Sequence, residues 1–388
     1  MSSLKITEVE IFEVKVTTQD TTWHPVIVRI HTNEGVSGVG EVALAYGVGS
    51  TAGVGMVRNL AEHFLLGADP FQIEYLWDRI YRKTWWGQGG GPVVYGGMSA
   101  IDEALWDIKG KALGVPVYEL LGGRCWDKLR VYVNGWYDCC ATPEEYAEAA
   151  QRVVADGYSA LKFDPFSYTL EGKWDSPRRA LDRERADRAY ERVKAVREAV
   201  GPEVDILIEV HGNLGTTSAI QMGKRFEEFH PFFYEEPVDA LNVECMKKVM
   251  ENVNIPIAAG ERLYTRYGFR QYIEEQAVDI LQPDAGLAGG ITEVKKIAAY
   301  AETYNLHVQP HNCAGPVATA AAVQLDACMT NFIIQELFPY QDERILQLAK
   351  EPLESKVVDG YLEVPDAPGL GIELNDEVIR QYPCVRVK

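Results

Sequence analysis

No stretch of the 388-residue sequence approaches the ~20 consecutive apolar residues that cross a bilayer, so a membrane is not expected as a partner. The opening, MSSLKITEVEIFEV, has no basic start and no continuous apolar core; it alternates like a strand and does not read as a secretion leader. Cysteine is sparse and unpatterned. There are seven, an odd number, with no CxxC and one adjacent pair, Cys139 and Cys140. A zinc site is therefore not expected, and the thiols read as small buried side chains in a reducing cytoplasm. Positive charge is also short: 38 Lys and Arg stand against 57 Asp and Glu, a net charge of −19. That balance argues against nucleic acid or an anionic membrane surface as partner, and any anionic ligand would need local positive charge. Nucleotide-binding loops are missing as well. GLAGG at 286–290 and QGGGP at 88–92 lack the full GxGxxG order and read as backbone turns.

What remains is an ordinary globular composition, 47% apolar and 24% charged, long enough for two domains. Residues 4–16 and 26–42 alternate as strands, with the turn NEGVSG inside the second. Helical stretches follow at Gly53–Leu66, Gln72–Lys83 and Ser99–Leu113. In the last of these Ile101, Ala104, Leu105, Ile108 and Ala112 form one apolar stripe. Strands followed by helices predict an α+β unit over residues 1–126. From Leu129 the pattern becomes strict alternation, with strands expected at 130–134, 159–163, 205–209, 232–235, 255–260, 279–283, 306–310 and 331–336. Eight strands alternating with helices predict an α/β barrel over 127–359. Thr142 with Glu145, followed by Pro143, is a capping box that opens its first helix, and Gly157 closes it. Asp164–Arg183 reads as an inserted polar loop, and the Pro- and Gly-bearing tail, 360–388, as a return over the first domain.

Chemistry-bearing residues gather at the strand ends. Glu209 closes DILIE, Glu235 closes PFFYE and Glu261 closes PIAAGE, each 26 residues from the next. Neighbouring parallel strands lie about 5 Å apart, so these carboxylates should converge at the mouth of the barrel. Without a cation they would repel one another and take up protons. Three oxygen ligands without clustered thiolates select Mg²⁺ or Mn²⁺, one ion per subunit. Such an ion, with Lys162 beside it, would stabilise the charge formed when the carbon next to a substrate carboxylate loses its proton. His311, with Asp284 one strand earlier, is the candidate base. His211, two residues beyond Glu209, is the candidate acid for a leaving hydroxyl, and Glu336 a partner for the enediolate.

Together with these residues, ALWDIKGKALGVPVYELLGG at 104–123, YEEP at 234–237, AAGER at 258–262, QPDAGLAGGITE at 282–293, PHN at 310–312 and PGLGIE at 368–373 make the chain resemble the enolase superfamily, in its mandelate racemase subgroup. The resemblance runs almost the whole chain. It implies a capping domain (1–126, completed by 360–388) over a modified TIM barrel, (β/α)7β, with Mg²⁺ held by Glu209, Glu235 and Glu261 and the Asp284–His311 dyad as base. It also implies a homo-oligomer and specificity loops near Trp23–His24 and Ala45–Tyr46. His24, Tyr46 and Asp164 are the candidate hydrogen-bonding groups for a polyol.

Two departures stand out. The second strand carries Lys162-Phe163-Asp164 where enzymes working on both faces of a carbon have K-x-K, and the third-strand ligand is Glu209 where Asp is usual. With the E-x-H of Glu209 and His211, KFDPF, and GERLYTR at 260–266, the chain is similar to acid-sugar dehydratases of the gluconate and galactonate kind. The expected reaction is loss of water from an aldonate or aldarate to give a 2-keto-3-deoxy acid. Epimerisation or cycloisomerisation through the same enediolate is the alternative, and a non-catalytic acid-sugar binding protein a second.

Overall fold

The computed structural model describes residues 4–17, 22–138, 140–177 and 179–388; Cys139 lies outside them. Strands Ile6–Glu13, Val26–Thr32 and Ser37–Val42 form an antiparallel sheet. The C-terminal strand Cys384–Val387 completes it beside Ile6–Glu13. Helix Gly91–Leu113 lies directly on Ser37–Val42. A side chain at Gly38 or Gly40 would strike the carbonyl oxygens of Ala104 and Ala100, which is why GVSGVG carries glycine there. This helix starts at Gly91, with Pro92 in its first turn, rather than at Ser99. It is buried nearly all round from Val94 to Ile108, while Ala112, placed above on the apolar stripe, is exposed.

The second unit is a parallel barrel. Its strands are Lys128–Val133, Ala160–Phe163, Asp205–Glu209, Tyr234–Glu235, Ile257–Ala259, Ile280–Leu281, His307–Val308 and Gln335–Leu337. Each hydrogen-bonds to its sequence neighbour up to the seventh, and the eighth pairs with the first. Closure between the seventh and eighth comes through the Val308–Phe332 bridge. Among the described residues seven α-helices, from Pro143–Ala155 to Pro316–Cys328, connect the strands, and no long helix follows the eighth, the first after it being the four-residue Glu343–Leu346. The architecture is a modified TIM barrel, (β/α)7β, under an α+β cap. Thr142 and Glu145 form the expected capping box. The tail touches both units: Tyr361–Glu363 pairs antiparallel with the outer end of Lys128–Val133, burying Leu362, before the chain reaches the cap sheet. No helix of the described residues is long and apolar enough to cross a membrane.

Two buried polar groups fix parts that matter below. Arg192, on helix Arg183–Val200, is fully buried, and its guanidinium donates to the carbonyls of Ala141 (3.1 Å), Pro165 (2.9 Å) and Tyr168 (2.8 Å). It pins the start of the 164–183 excursion to the barrel. Asp102, on the cap helix, accepts from Thr292 N (2.9 Å) and Thr292 Oγ1 (2.6 Å) of the barrel. Burial pushes its pKa up to about 7 against those bonds. A folded-state pKa above the unfolded one means the folded protein holds a proton the unfolded chain has lost. This contribution to stability is complete below about pH 4 and is lost as pH rises through about 7. Asp102→Asn is expected to flatten the pH dependence of denaturant-unfolding free energy between those limits, by at most about 1.4 kcal/mol per pH unit. An unchanged slope would show that Asp102 ionises normally.

Candidate active site

The three glutamates converge. Ligand atoms of Glu209, Glu235 and Glu261 all lie within 4.8 Å of one another. Each sits at or just past the last residue of a short strand and directly follows buried residues, so the pairing that buries Ile208, Tyr234 and Ala259 also brings the carboxylates together. Glu235 Oε1 is buried without a hydrogen-bond partner among the described residues. Burial, opposed by Lys162 and reinforced by the neighbouring carboxylates, pushes the Glu235 pKa up to about 8. Three carboxylates around an orphaned oxygen fit the oxygen-only donor set of a hard divalent cation.

Protein cations line this cluster from behind and from both sides. Lys162 is fully buried, with Nζ 3.2 Å from Glu209, 2.8 Å from Glu235 and 2.9 Å from Glu336. Burial opposes its charge, but the carboxylates prevail and hold its pKa well above the ordinary value. His311 Nδ1 lies 2.7 Å from Asp284 Oδ2, and its Nε2 3.1 Å from Glu261. His211 repeats the arrangement at the other end of the row, with Nδ1 2.7 Å from Asp164 Oδ2 and Nε2 3.1 Å from Glu209. An ionised carboxylate accepts, so each Nδ1 donates to its aspartate, and each Nε2, which also faces a carboxylate, points to the cluster. Burial works against protonation of His211, yet Glu209 and Asp164 raise its pKa to about 10. For His311 burial is likewise outweighed, by Cys313, Glu261 and Asp284, and the pKa stands well above the ordinary imidazole value.

The reach of His211 has a different origin from strand alternation. The strand ends at Glu209, and His211 adopts φ 54°, in the left-handed region that costs a residue with a Cβ of order 1 kcal/mol or more. Asp164 holds it there. That carboxylate is itself buried, accepting from Phe166 N (2.7 Å) and Ser167 Oγ as well as facing His211. It therefore orients an imidazole and does not line the cavity, where it was expected as a polyol contact. Glu336 departs in the same way: Oε1 meets Lys162 and Asn134 Nδ2 (2.9 Å), and Oε2 accepts from Asn312 N (2.9 Å).

A cavity of about 770 Å³ opens above the cluster, within the usual range for small-molecule sites. Glu209, Glu261, His211 and His311 form part of its floor, and Tyr46 part of its wall. Trp23, not His24, is the neighbouring cap residue on this wall; Trp23 ends the strand Thr22–Trp23, His24 follows it, and the rings of Trp23 and Tyr46 meet edge-on at 5.4 Å. Trp174, from the 164–183 excursion, stands edge-on to His211 at 5.7 Å. Trp85 and Trp86 are 82% and 72% exposed and take no part in the cavity or in domain packing. Sequence reasoning missed Arg262, which pairs with both Glu236 and Glu261 on the cavity wall. Its position directly after a strand-end ligand was the available signal.

The residues matched by known families cover both units. Residues 4–122 match the mandelate racemase/muconate lactonizing enzyme N-terminal domain, and 145–378 the enolase C-terminal domain-like family. The chain is 38% identical over 366 residues to a D-gluconate dehydratase of Thermoproteus tenax, covering 94% of this chain and 71% of that protein. It is 37% identical to a D-galactonate dehydratase of Variovorax paradoxus (90% and 89% covered) and 34% identical to a D-xylonate dehydratase of Haloferax volcanii (97% and 90%). Among solved structures, a member of the enolase superfamily from Salmonella Typhimurium superposes with a TM-score of 0.94 at 44% identity, covering 99% of this chain and all of that one. A mandelate racemase/muconate lactonizing enzyme from Jannaschia sp. CCS1 gives 0.87 at 34%, with 97% of each chain covered. Members of that superfamily bind Mg²⁺, and the carboxylates at 209, 235 and 261 could hold such an ion. Cap, barrel and carboxylate cluster thus agree with the sequence matches: this chain belongs to the enolase superfamily, in its mandelate racemase subgroup.

Proposed function

We propose that this protein is a Mg²⁺-dependent acid-sugar dehydratase, removing the C2 proton and the 3-hydroxyl of an aldonate or aldarate. The observation that carries the reading is the pair of carboxylate-backed imidazoles, Asp284–His311 and Asp164–His211, flanking one three-carboxylate cluster under one cavity. Elimination of water needs a proton taken at one carbon and given at the next oxygen, and two oppositely placed imidazoles suit it. The names of the relatives, all dehydratases of sugar acids, point the same way.

Glu209, Glu235 and Glu261 would hold the Mg²⁺. When bound, the ion would supply a Lewis acid for the substrate carboxylate and would offset the charge of Glu261, which with Cys313 and Asp284 raises the His311 pKa. His311 Nε2 then takes the C2 proton, with Asp284 fixing the tautomer and holding the imidazolium. Lys162 provides fixed positive charge near the developing enediolate. His211, whose pKa Glu209 and Asp164 raise and whose Nδ1 Asp164 holds, gives its proton to the 3-hydroxyl as the C3–O bond breaks and water leaves. The resulting enol ketonises, taking a proton at C3, to a 2-keto-3-deoxy acid. Trp23, Tyr46 and Trp174 shape the wall against which the polyol chain lies.

A panel of aldonic and aldaric acids with Mg²⁺, scored for 2-keto acid formation, tests the reading; no product from any of them would overturn it. Two imidazoles also suit epimerisation at C2. In D2O, epimerisation gives a C2-deuterated epimer that keeps its 3-hydroxyl, whereas the dehydratase gives keto acid. His211→Asn separates the two proton transfers. C2–H exchange with solvent should persist while keto acid formation falls by about 10²–10⁴-fold. Loss of exchange and elimination together would remove His211 from the role of acid.

A further inference from the structure

The two loops that carry the Asp284–His311 dyad both end at a helix that cannot cap itself. Helix Ile291–Glu302 begins after Gly290 and helix Pro316–Cys328 after Gly315, and neither glycine offers a side-chain cap. The missing acceptors come from the other domain. Asp102 takes Thr292 N and Oγ1, and Glu41 takes Gly315 N (2.6 Å) and Ala318 N (3.0 Å). Both carboxylates are buried, and both glycines leave room for them: a Cβ on Gly315 would stand 2.8 Å from Glu41 Oε1, and one on Gly290 2.5 Å from Asp102. The rest of the Asp284 loop is tied to the cap as well. Ala43 N bonds Gly286 O (3.3 Å), Gly289 N bonds Ser99 Oγ (3.0 Å), and Trp77 Nε1 bonds Gly289 O (2.8 Å).

We propose that Glu41 and Asp102 are positioning residues for the reaction, setting the dyad by capping, from the capping domain, the helices that follow its two loops. On this account the barrel alone does not hold Asp284 and His311 at catalytic geometry. Docking of the cap, which also brings Trp23 and Tyr46 to the cavity, orders base and specificity wall in one event. The proposal rests on the dehydratase reading only for the use made of the dyad.

Gly315→Ala is the sharpest test. Gly315 has φ −94° and ψ −172°, extended backbone that alanine adopts freely, so the substitution acts only by pushing Glu41 off its two N–H groups. Glu41→Gln is its partner, removing one acceptor oxygen. In metal-free full-length protein, the downfield NMR resonance of the His311 Nδ1 proton is expected to shift or broaden in both variants. With Mg²⁺ and an accepted sugar acid, kcat should fall by about 100-fold, the effect of displacing a reacting group by about 1 Å. KM and Mn²⁺ affinity should stay at wild-type values, because Glu209, Glu235 and Glu261 sit on other strand ends. A Gly315→Ala protein with the wild-type His311 resonance and wild-type kcat would overturn the proposal. So would equal losses of kcat and Mn²⁺ affinity, the signature of general loosening. Should Glu41→Gln fail to fold, Gly315→Ala decides. The NMR measurement needs no substrate. A protein inert toward every acid sugar therefore sinks the dehydratase reading, while the resonance still decides this one.

Discussion

Replacing His311 with asparagine is expected to lower kcat for acid-sugar dehydration by about 10²–10⁴-fold, the range carried by a positioned proton acceptor. Asparagine can still hydrogen-bond Asp284, so the loop should keep its shape, but nothing remains at the position of Nε2 to take a proton. Exchange of the substrate C2 proton with D2O should disappear together with product. This distinguishes the variant from His211→Asn, which keeps exchange. Mg²⁺ binding should survive, since His311 touches the carboxylate cluster only through Nε2, 3.1 Å from Glu261. Proton NMR of the substrate and calorimetric titration with Mg²⁺ read the two quantities separately. Full activity in this variant would refute the assignment of the base.

Lys162→Met should have its largest effect on stability in the absence of metal. The lysine stands within 3.2 Å of Glu209, Glu235 and Glu336, all buried. Methionine has a similar length and no charge, so the substitution leaves buried carboxylates facing one another with their counter-ion gone. Removing one partner of a buried ion pair costs about 3–5 kcal/mol. Urea unfolding with a chelator present should show a loss of that size. Excess Mg²⁺ should restore a large part of it, because an ion that binds only the folded chain stabilises it by mass action. Equal stability of variant and parent under chelation would mean that the glutamates are protonated and need neither cation.

Much of this site was legible before any coordinates. A carboxylate that ends an apolar run every 26 residues leaves few geometries open, and the strand-end rule placed Glu209, Glu235 and Glu261 together, as it did Asp284 and His311. Residues whose role depends on which way a short loop turns were not legible. His211 reaches Glu209 through a left-handed backbone, and Asp164 turns to support it instead of facing the cavity. Near the cap loop, the choice between His24 and Trp23 depends on how the chain turns just after the two-residue strand Thr22–Trp23, which no periodicity fixes. Glu336, expected to end its strand, lies inside Gln335–Leu337, and its oxygens are taken by Lys162, Asn134 and Asn312. Glu41 and Asp102 left a faint trace in the sequence. Acids embedded among apolar residues of the GVGEV strand and the IDEALWDI helix need buried donors, but the donors belong to helices some 190 or more positions away.

The anchoring of the 164–183 excursion bears on how new substrates are acquired. Arg192 grips backbone carbonyls, which every amino acid offers alike, so the segment stays moored whatever side chains it displays. Trp174 and its neighbours are free to drift under selection without unfastening the loop. On the proposed reading, a changed side chain at Trp174 would reshape the cavity wall beside His211 while Asp164, at the moored start of the segment, keeps its hold on the imidazole.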